Sequence, residues 1–106
     1  MYRGTTPELK IGIDFDPKEI EVLYITFEQK DKIVLEKTLK DCDIQGETIV
    51  CKLTQEDTLK FNPTNEKSGA KNWLYIQVRA RLKGNETPTT DIKRYEVERI
   101  LKDGVI

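Results

Sequence analysis

The sequence predicts an all-β fold, an antiparallel β-sandwich, and three observations carry that prediction. Residues 71–83 (KNWLYIQVRARLK) alternate strictly, with Leu74, Ile76, Val78, Ala80 and Leu82 on one parity and Trp73, Tyr75, Gln77, Arg79 and Arg81 on the other. A period of two marks a strand with one face in a core; a helix would scatter the same apolar side chains around its axis. Shorter runs of the same kind recur along the chain, separated by turn signals at roughly ten-residue spacing. Finally, 106 residues form a single domain, 1–106, large enough for a core without metal or disulfide staples.

Taken in order, Leu9, Ile11, Ile13 and Phe15 alternate with polar residues and Gly12, which predicts a first strand over residues 8–15. Asp16, Pro17 and Glu19 follow as N-cap acid, first-turn proline and capping-box acid, so one helical turn leads into the next strand. That strand, residues 20–29, places Leu23, Ile25 and Phe27 on one face and Val22, Tyr24 and Thr26 on the other. With both faces partly apolar, it belongs near the centre of a sheet. Residues 29–32 make a polar turn into a third strand carrying Ile33, Leu35 and Leu39, with Lys37 breaking its pattern.

The apolar parity changes after Asp41-Cys42-Asp43, which predicts a bulge or a corner. The turn Gln45-Gly46-Glu47 leads to a fourth strand, residues 48–53, with Ile49, Cys51 and Leu53 inward. Alternation stops over residues 54–61. Thr54 as cap and Glu56 and Asp57 in the first turn predict a short helix or 3₁₀ turn crossing between sheets, with Leu59 and Phe61 docking back. Residues 62–70 form a polar loop, the long central strand follows, and residues 89–99 supply the last strand, with Tyr95 and Val97 on one face. Residues 100–106 are a short apolar tail. The corner helix before the longest strand, and that strand's hairpin with the last one, predict an immunoglobulin-like β-sandwich with one or two short corner helices. A small barrel is the alternative. The predicted core is Leu23, Ile25, Phe27, Leu35, Ile49, Leu53, Leu74, Ile76, Val78 and Leu82.

Composition narrows the function. Net charge is −1, with acids and bases interspersed, and 37% of residues are hydrophobic. No basic excess marks a nucleic-acid binder, and no apolar run approaches the roughly 20 residues of a membrane span. The first residues contain no apolar signal core, so the chain reads as cytoplasmic when synthesised. Histidine is absent. That removes the commonest general base and transition-metal ligand, and with no nucleophile–base pair or phosphate-binding motif in view the chain reads as a non-enzyme without cofactor or metal.

Two weaker constellations point the same way. The D-x-D pairs Asp14/Asp16 and Asp41/Asp43 lack the loop glycine and distal glutamate of a calcium site, and Asp is common at turns. Cys42 and Cys51 flank the predicted turn. With Gly46-Glu47 as a two-residue type II′ turn they face each other at a non-hydrogen-bonded pair, and Ile44 faces Ile49. With Gln45-Gly46 at the turn centre they separate. Both registers fit the residues, and the cysteines read as reduced, small apolar side chains.

The outer face of the central strand is the candidate functional surface: Trp73, Tyr75, Arg79 and Arg81, with Lys71 and Lys83 at its ends. Aromatics interleaved with bases hold single-stranded nucleic acid by stacking and phosphate attraction. They equally mark surfaces where proteins meet. In the plainer reading the arginines pair with Glu96 and Glu98 across strands, and Trp73 closes the sandwich end beneath the 62–70 loop.

The opening MYRGTTP, the strand VLYITFEQ, the run LEKTLKDC, the segment LTQEDT and the ending RILKDGVI together resemble small proteins encoded by phages and prophages of Gram-positive gut bacteria, among virion structural genes. The strand order around LTQEDT is also similar to the N-terminal immunoglobulin-like domain of phage baseplate upper proteins. The resemblance implies assembly and docking, with protein partners that include further copies of the chain, virion association and no catalytic residues. Nucleic acid is the alternative partner.

Overall fold

The computed structural model describes residues 1–64, 69, 71–88 and 90–106. Two antiparallel sheets face each other. The first has three strands in the order β1 (Glu8–Gly12), β5 (Thr48–Lys52), β4 (Cys42–Gln45). The second has four, in the order β3 (Lys32–Thr38), β2 (Ile20–Gln29), β6 (Trp73–Leu82), β7 (Lys93–Glu96). The α-helix α1 (Gln55–Leu59) carries the chain from β5 in one sheet to β6 in the other. Within this sandwich class the strand order is particular. Strand β2 lies between β3 and β6, whereas the immunoglobulin order assigns the second strand to the opposite sheet.

The alternation read from residues 71–83 is the alternation of burial in β6: Leu74, Ile76, Val78, Ala80 and Leu82 are buried. They pair in register with the inward residues of β2, Val78 opposite Ile25 and Ile76 opposite Phe27. All ten predicted core residues are buried, joined by Phe61, Val97, Cys51 and Ile20. Phe61 docks back from α1 and stacks on Phe27, with ring centroids 5.7 Å apart.

Turn chemistry sets the registers. Asp16 caps the 3₁₀ turn Pro17–Glu19, accepting from the Lys18 amide at 3.0 Å. Thr54 and Asp57 form a reciprocal capping box at α1, at 3.1 and 2.9 Å. The β2–β3 hairpin turns through Lys30 (φ 51°) and Asp31 (φ 62°), both left-handed, as a two-residue type I′ loop requires. The β4–β5 hairpin turns through Gly46 (φ 62°) and Glu47 with Gln45 opposite Thr48, so Cys42 lies directly opposite Cys51 and Ile44 opposite Ile49. Only the first central residue has positive φ, the signature of type II′.

Several predicted boundaries move. The first strand ends at Gly12, not Phe15, although the Ile13 amide still reaches the Glu47 carbonyl at 3.0 Å. Leu39 leaves the third strand for a 3₁₀ turn, Leu39–Asp41, in which the Asp41 carboxylate accepts from the Thr38 amide at 2.9 Å; this turn is the predicted corner. The last strand is confined to Lys93–Glu96. Past Glu96 the chain is drawn away from β6: Thr64 donates its amide to the Val97 carbonyl and Glu98 donates its own to the Met1 carbonyl, both at 2.8 Å. Val97 is thereby fully buried outside the strand, while Tyr95, opposite Leu74 at the sheet edge, remains exposed. The start of the predicted last strand, Thr89, and residues 65–68 and 70 of the predicted loop lie outside the described residues. Among the described residues no helix is long and apolar enough to cross a membrane.

Candidate protein-docking face

Strand pairing places side chains in rows across the outer face of the four-stranded sheet. Registered partners project to the same side, so Tyr75 stands between Glu28 of β2 and Arg94 of β7, and Arg79 stands beside Tyr24. Next to Glu28 on β3 lies Ile33. The four residues singled out from the sequence, Trp73, Tyr75, Arg79 and Arg81, therefore share one surface. The structure adds Tyr24, Ile33 and Arg94 to it. Tyr24 is 43% exposed, Tyr75 37% and Ile33 63%, so the face carries an apolar and aromatic patch open to solvent.

Trp73 is half-buried. Two cations lie over its indole, the Arg94 guanidinium carbon at 4.3 Å and the Lys71 ammonium at 5.4 Å from the ring centroid. A guanidinium at that distance gains from the ring quadrupole and orients the indole. The arginines of β6 do not pair with Glu96 and Glu98 as the plainer reading expects. Glu96 sits 3.7 Å from Lys71, and Glu98 is held by the Met1 ammonium at 2.8 Å. Arg81 pairs instead with Glu21 at 3.6 Å, because the β2–β6 register shifts between Ile20 and Val22 and brings Glu21 alongside. Arg79, registered with Tyr24, makes no salt bridge among the described residues.

The aspartates of the D-x-D pairs are scattered by the fold: Asp16 and Asp41 are caps, while Asp14 and Asp43 are exposed. The Thr38 backbone amide holds the Asp41 carboxyl below the ordinary carboxylate range. Among the described residues no three of His, Cys, Asp or Glu gather as metal ligands.

A second feature lies where the sheets part. The corner between β3 and β4 bridges the two sheets on one flank, with the Cys42 thiol donating to the Thr38 carbonyl at 3.4 Å. On the other flank β1 and β7 are both edge strands. Between them runs an open groove of about 1200 Å³ whose lining includes Leu9, Ile11, Phe15, Ile76 and Tyr95. The amides of Ile13 and Leu53 bond across the β1–β5 pair, so residues 7, 9, 11 and 13 of the first strand direct their backbone groups at β5. By alternation, Glu8, Lys10 and Gly12 turn theirs outward to the groove's rim. No sequence motif announces this groove. It arises from which strands end up at the edges, a long-range outcome. The chain matches no protein-family model, no curated protein and no solved structure.

Proposed function

We propose that this protein is a non-catalytic docking module that binds protein through the outer face of its four-stranded sheet, in a phage or prophage assembly such as a tail or baseplate. One observation carries the docking role: Tyr24, Tyr75 and Trp73 stand exposed or half-exposed on one sheet face, Tyr24 beside Arg79 and both Tyr75 and Trp73 beside Arg94. Aromatics and arginine are the side chains most enriched where proteins meet, since they bury large area with few rotors and still satisfy polar neighbours. The exposed backbone edge of β1 supports the same role, because an extended partner segment can add to it without special side chains. The phage context rests on the resemblance of the whole chain, and the lack of histidine supports a role without catalysis.

Two measurements test this. Mass spectrometry of purified particles from the host of the gene should find the protein with tail or baseplate components; its absence from particles, with a gene set in a metabolic operon, removes the assembly role. Titration with single-stranded oligonucleotide separates the partner classes. Phosphate binding through Arg79 and Arg81 must weaken steeply with salt as counterions are released. A salt-sensitive complex at micromolar protein replaces docking by nucleic-acid binding, and no complex leaves the aromatic face to protein.

A further inference from the structure

Independently of that face, the β4–β5 hairpin holds a pair of thiols in a geometry with its own chemistry. Cys42 lies directly opposite Cys51. The Leu53 amide bonds to the Pro7 carbonyl and the Ile13 amide to the Glu47 carbonyl, so alternate residues of β5 from Glu47 to Leu53, Cys51 among them, turn their backbone groups toward β1. Cys51 therefore makes no ladder bond to Cys42, and the two form a non-hydrogen-bonded pair. Such pairs bring Cα atoms to about 4.5 Å, within the span of roughly 4.4–6.8 Å that a disulfide bridges. Both side chains lie between the sheets, Cys51 in the core and Cys42 packed against it.

We propose that Cys42 and Cys51 are a cross-strand dithiol that oxidises to a disulfide and so fastens the edge strand β4 to β5. The two thiols have distinct parts. Cys51 is completely buried, whereas Cys42 is half-buried at the sheet edge with its thiol resting on the Thr38 carbonyl. Cys42 is thus the entry point for a small-molecule disulfide such as oxidised glutathione. Its thiolate attacks one sulfur of the oxidant, the oxidant's S–S bond breaks, and one thiol leaves. Cys51, deprotonated in turn, attacks the Cys42 sulfur of the mixed disulfide and displaces the second thiol. Two protein thiols and one disulfide become one protein disulfide and two small thiols; the two electrons pass to the oxidant.

The surroundings set the rate. Burial pushes the Cys42 thiol up and the Cys51 thiol to about 12, and the charged groups near them are Lys37 of β3, itself paired with Asp57, and Asp41 and Asp43 beside Cys42. Thiolate is therefore scarce at neutral pH, so closure is slow and accelerates with pH. For the same reason reduction regains little from thiolate stabilisation, and the closed form resists reductants once made.

The test uses the purified full chain, reduced, then incubated with oxidised glutathione at pH 7 and pH 8, alkylated at intervals and weighed intact. The expected product is a monomer lighter by two hydrogen atoms, carrying no alkyl groups, and forming close to tenfold faster at the higher pH, as a thiolate-limited reaction requires. Cys51→Ser should stop at one glutathione on Cys42, and Cys42→Ser should stay unmodified while folded. In the oxidised chain the amides of Asp43 and Gln45, which face β5, should exchange about tenfold more slowly than in the reduced one. A folded chain that gives only stable glutathione adducts or intermolecular dimers, or that closes only when urea unfolds it, overturns the proposal. Unchanged exchange in β4 after closure overturns the fastening.

Discussion

The Lys37 ammonium lies 2.8 Å from the Asp57 carboxylate, joining β3 of one sheet to the corner helix that leads out of the other. Lys37 is registered with Ile25, so it points to the core side, and both partners are largely buried, with side-chain exposures of 17% and 9%. Asp57 also accepts from the Thr54 amide, so the same carboxylate caps the helix and neutralises the inward lysine. A residue that looks like a lapse in the pattern of the third strand is half of an inter-sheet ion pair.

Removing one partner strands the other in a low-dielectric site. Lys37→Met should therefore destabilise the fold by about 3 kcal/mol, the scale found when buried pairs are broken one-sidedly. The double variant Lys37→Met/Asp57→Asn should recover part of that loss. Denaturant unfolding of the four members of the cycle measures the coupling, and additive single effects would show that the pair contributes nothing.

The pair also sets a pH window. Burial pushes the Asp57 carboxyl up, but the Lys37 ammonium and the Thr54 amide outweigh it and hold it below the ordinary value of 3.8. Its contribution is full above that value and fades as pH falls through the depressed one. The hydrogen bond to Asp57, opposed by burial, raises Lys37 above 10.5, so its contribution is full below 10.5 and fades as pH rises through the raised value. Stability should fall at both ends, and Asp57→Asn should flatten the acid limb. An unchanged acid limb in that variant would assign the acid sensitivity to other carboxylates.

Asp31 adopts φ 62° in the type I′ turn between β2 and β3, a left-handed conformation that costs a residue with a Cβ about 1 kcal/mol. Asp31→Gly, or Lys30→Asn with Asp31→Gly, should stabilise by roughly that amount, since Asn-Gly is the preferred pair for this turn. A rise in the denaturant midpoint without a change in slope is the expected readout.

How much of this was legible in the sequence depended on range. Strand β2 and the core residues followed from parity, a local signal that survives packing. The cap at Thr54 followed from short-range hydrogen-bonding chemistry and the corner near Asp41 from a change of apolar parity, while the reciprocal bonds of Asp57 and Asp41 appeared only in the structure. The register of the two cysteines did not, because Gly46 can occupy either central position of a turn and only the assembled hairpin selects one. Nor did the role of Gln29, which is buried and grips the backbone of Asn62 with both ends of its amide, at 2.8 and 2.9 Å. Arg3 was equally silent. Its guanidinium meets the Leu59 and Phe61 carbonyls at 2.8 and 2.9 Å and the carboxylate of Asp103, tying both ends of the chain to α1. Such contacts join residues more than thirty positions apart, and nothing in the local pattern of either partner foretells them. On the candidate face, Tyr24 was visible as an outward parity residue of β2, but only the pairing with Arg79 joins it to the surface.

Trp73 separates a docking surface from a core. A core aromatic such as Phe61, fully buried and stacked on Phe27, should cost about 3–5 kcal/mol when truncated to alanine, through lost transfer energy and the cavity left behind. Trp73 is half-exposed on the outer parity and its polar neighbours are cations over the ring. Trp73→Ala should then lose mainly the contact with Arg94, about 1 kcal/mol, while Tyr75→Ala and Tyr24→Ala should leave the fold within roughly 0.5 kcal/mol, as exposed positions do. If the proposed docking role holds, each of the three should nevertheless weaken association with protein, because an aromatic that loses little in the free chain is free to bury its surface against a partner. Thermal unfolding of the set, read beside sedimentation of the same proteins, gives both quantities. If Trp73→Ala lowers stability as far as Phe61→Ala and association is unchanged, Trp73 belongs to the core and the docking surface lies elsewhere.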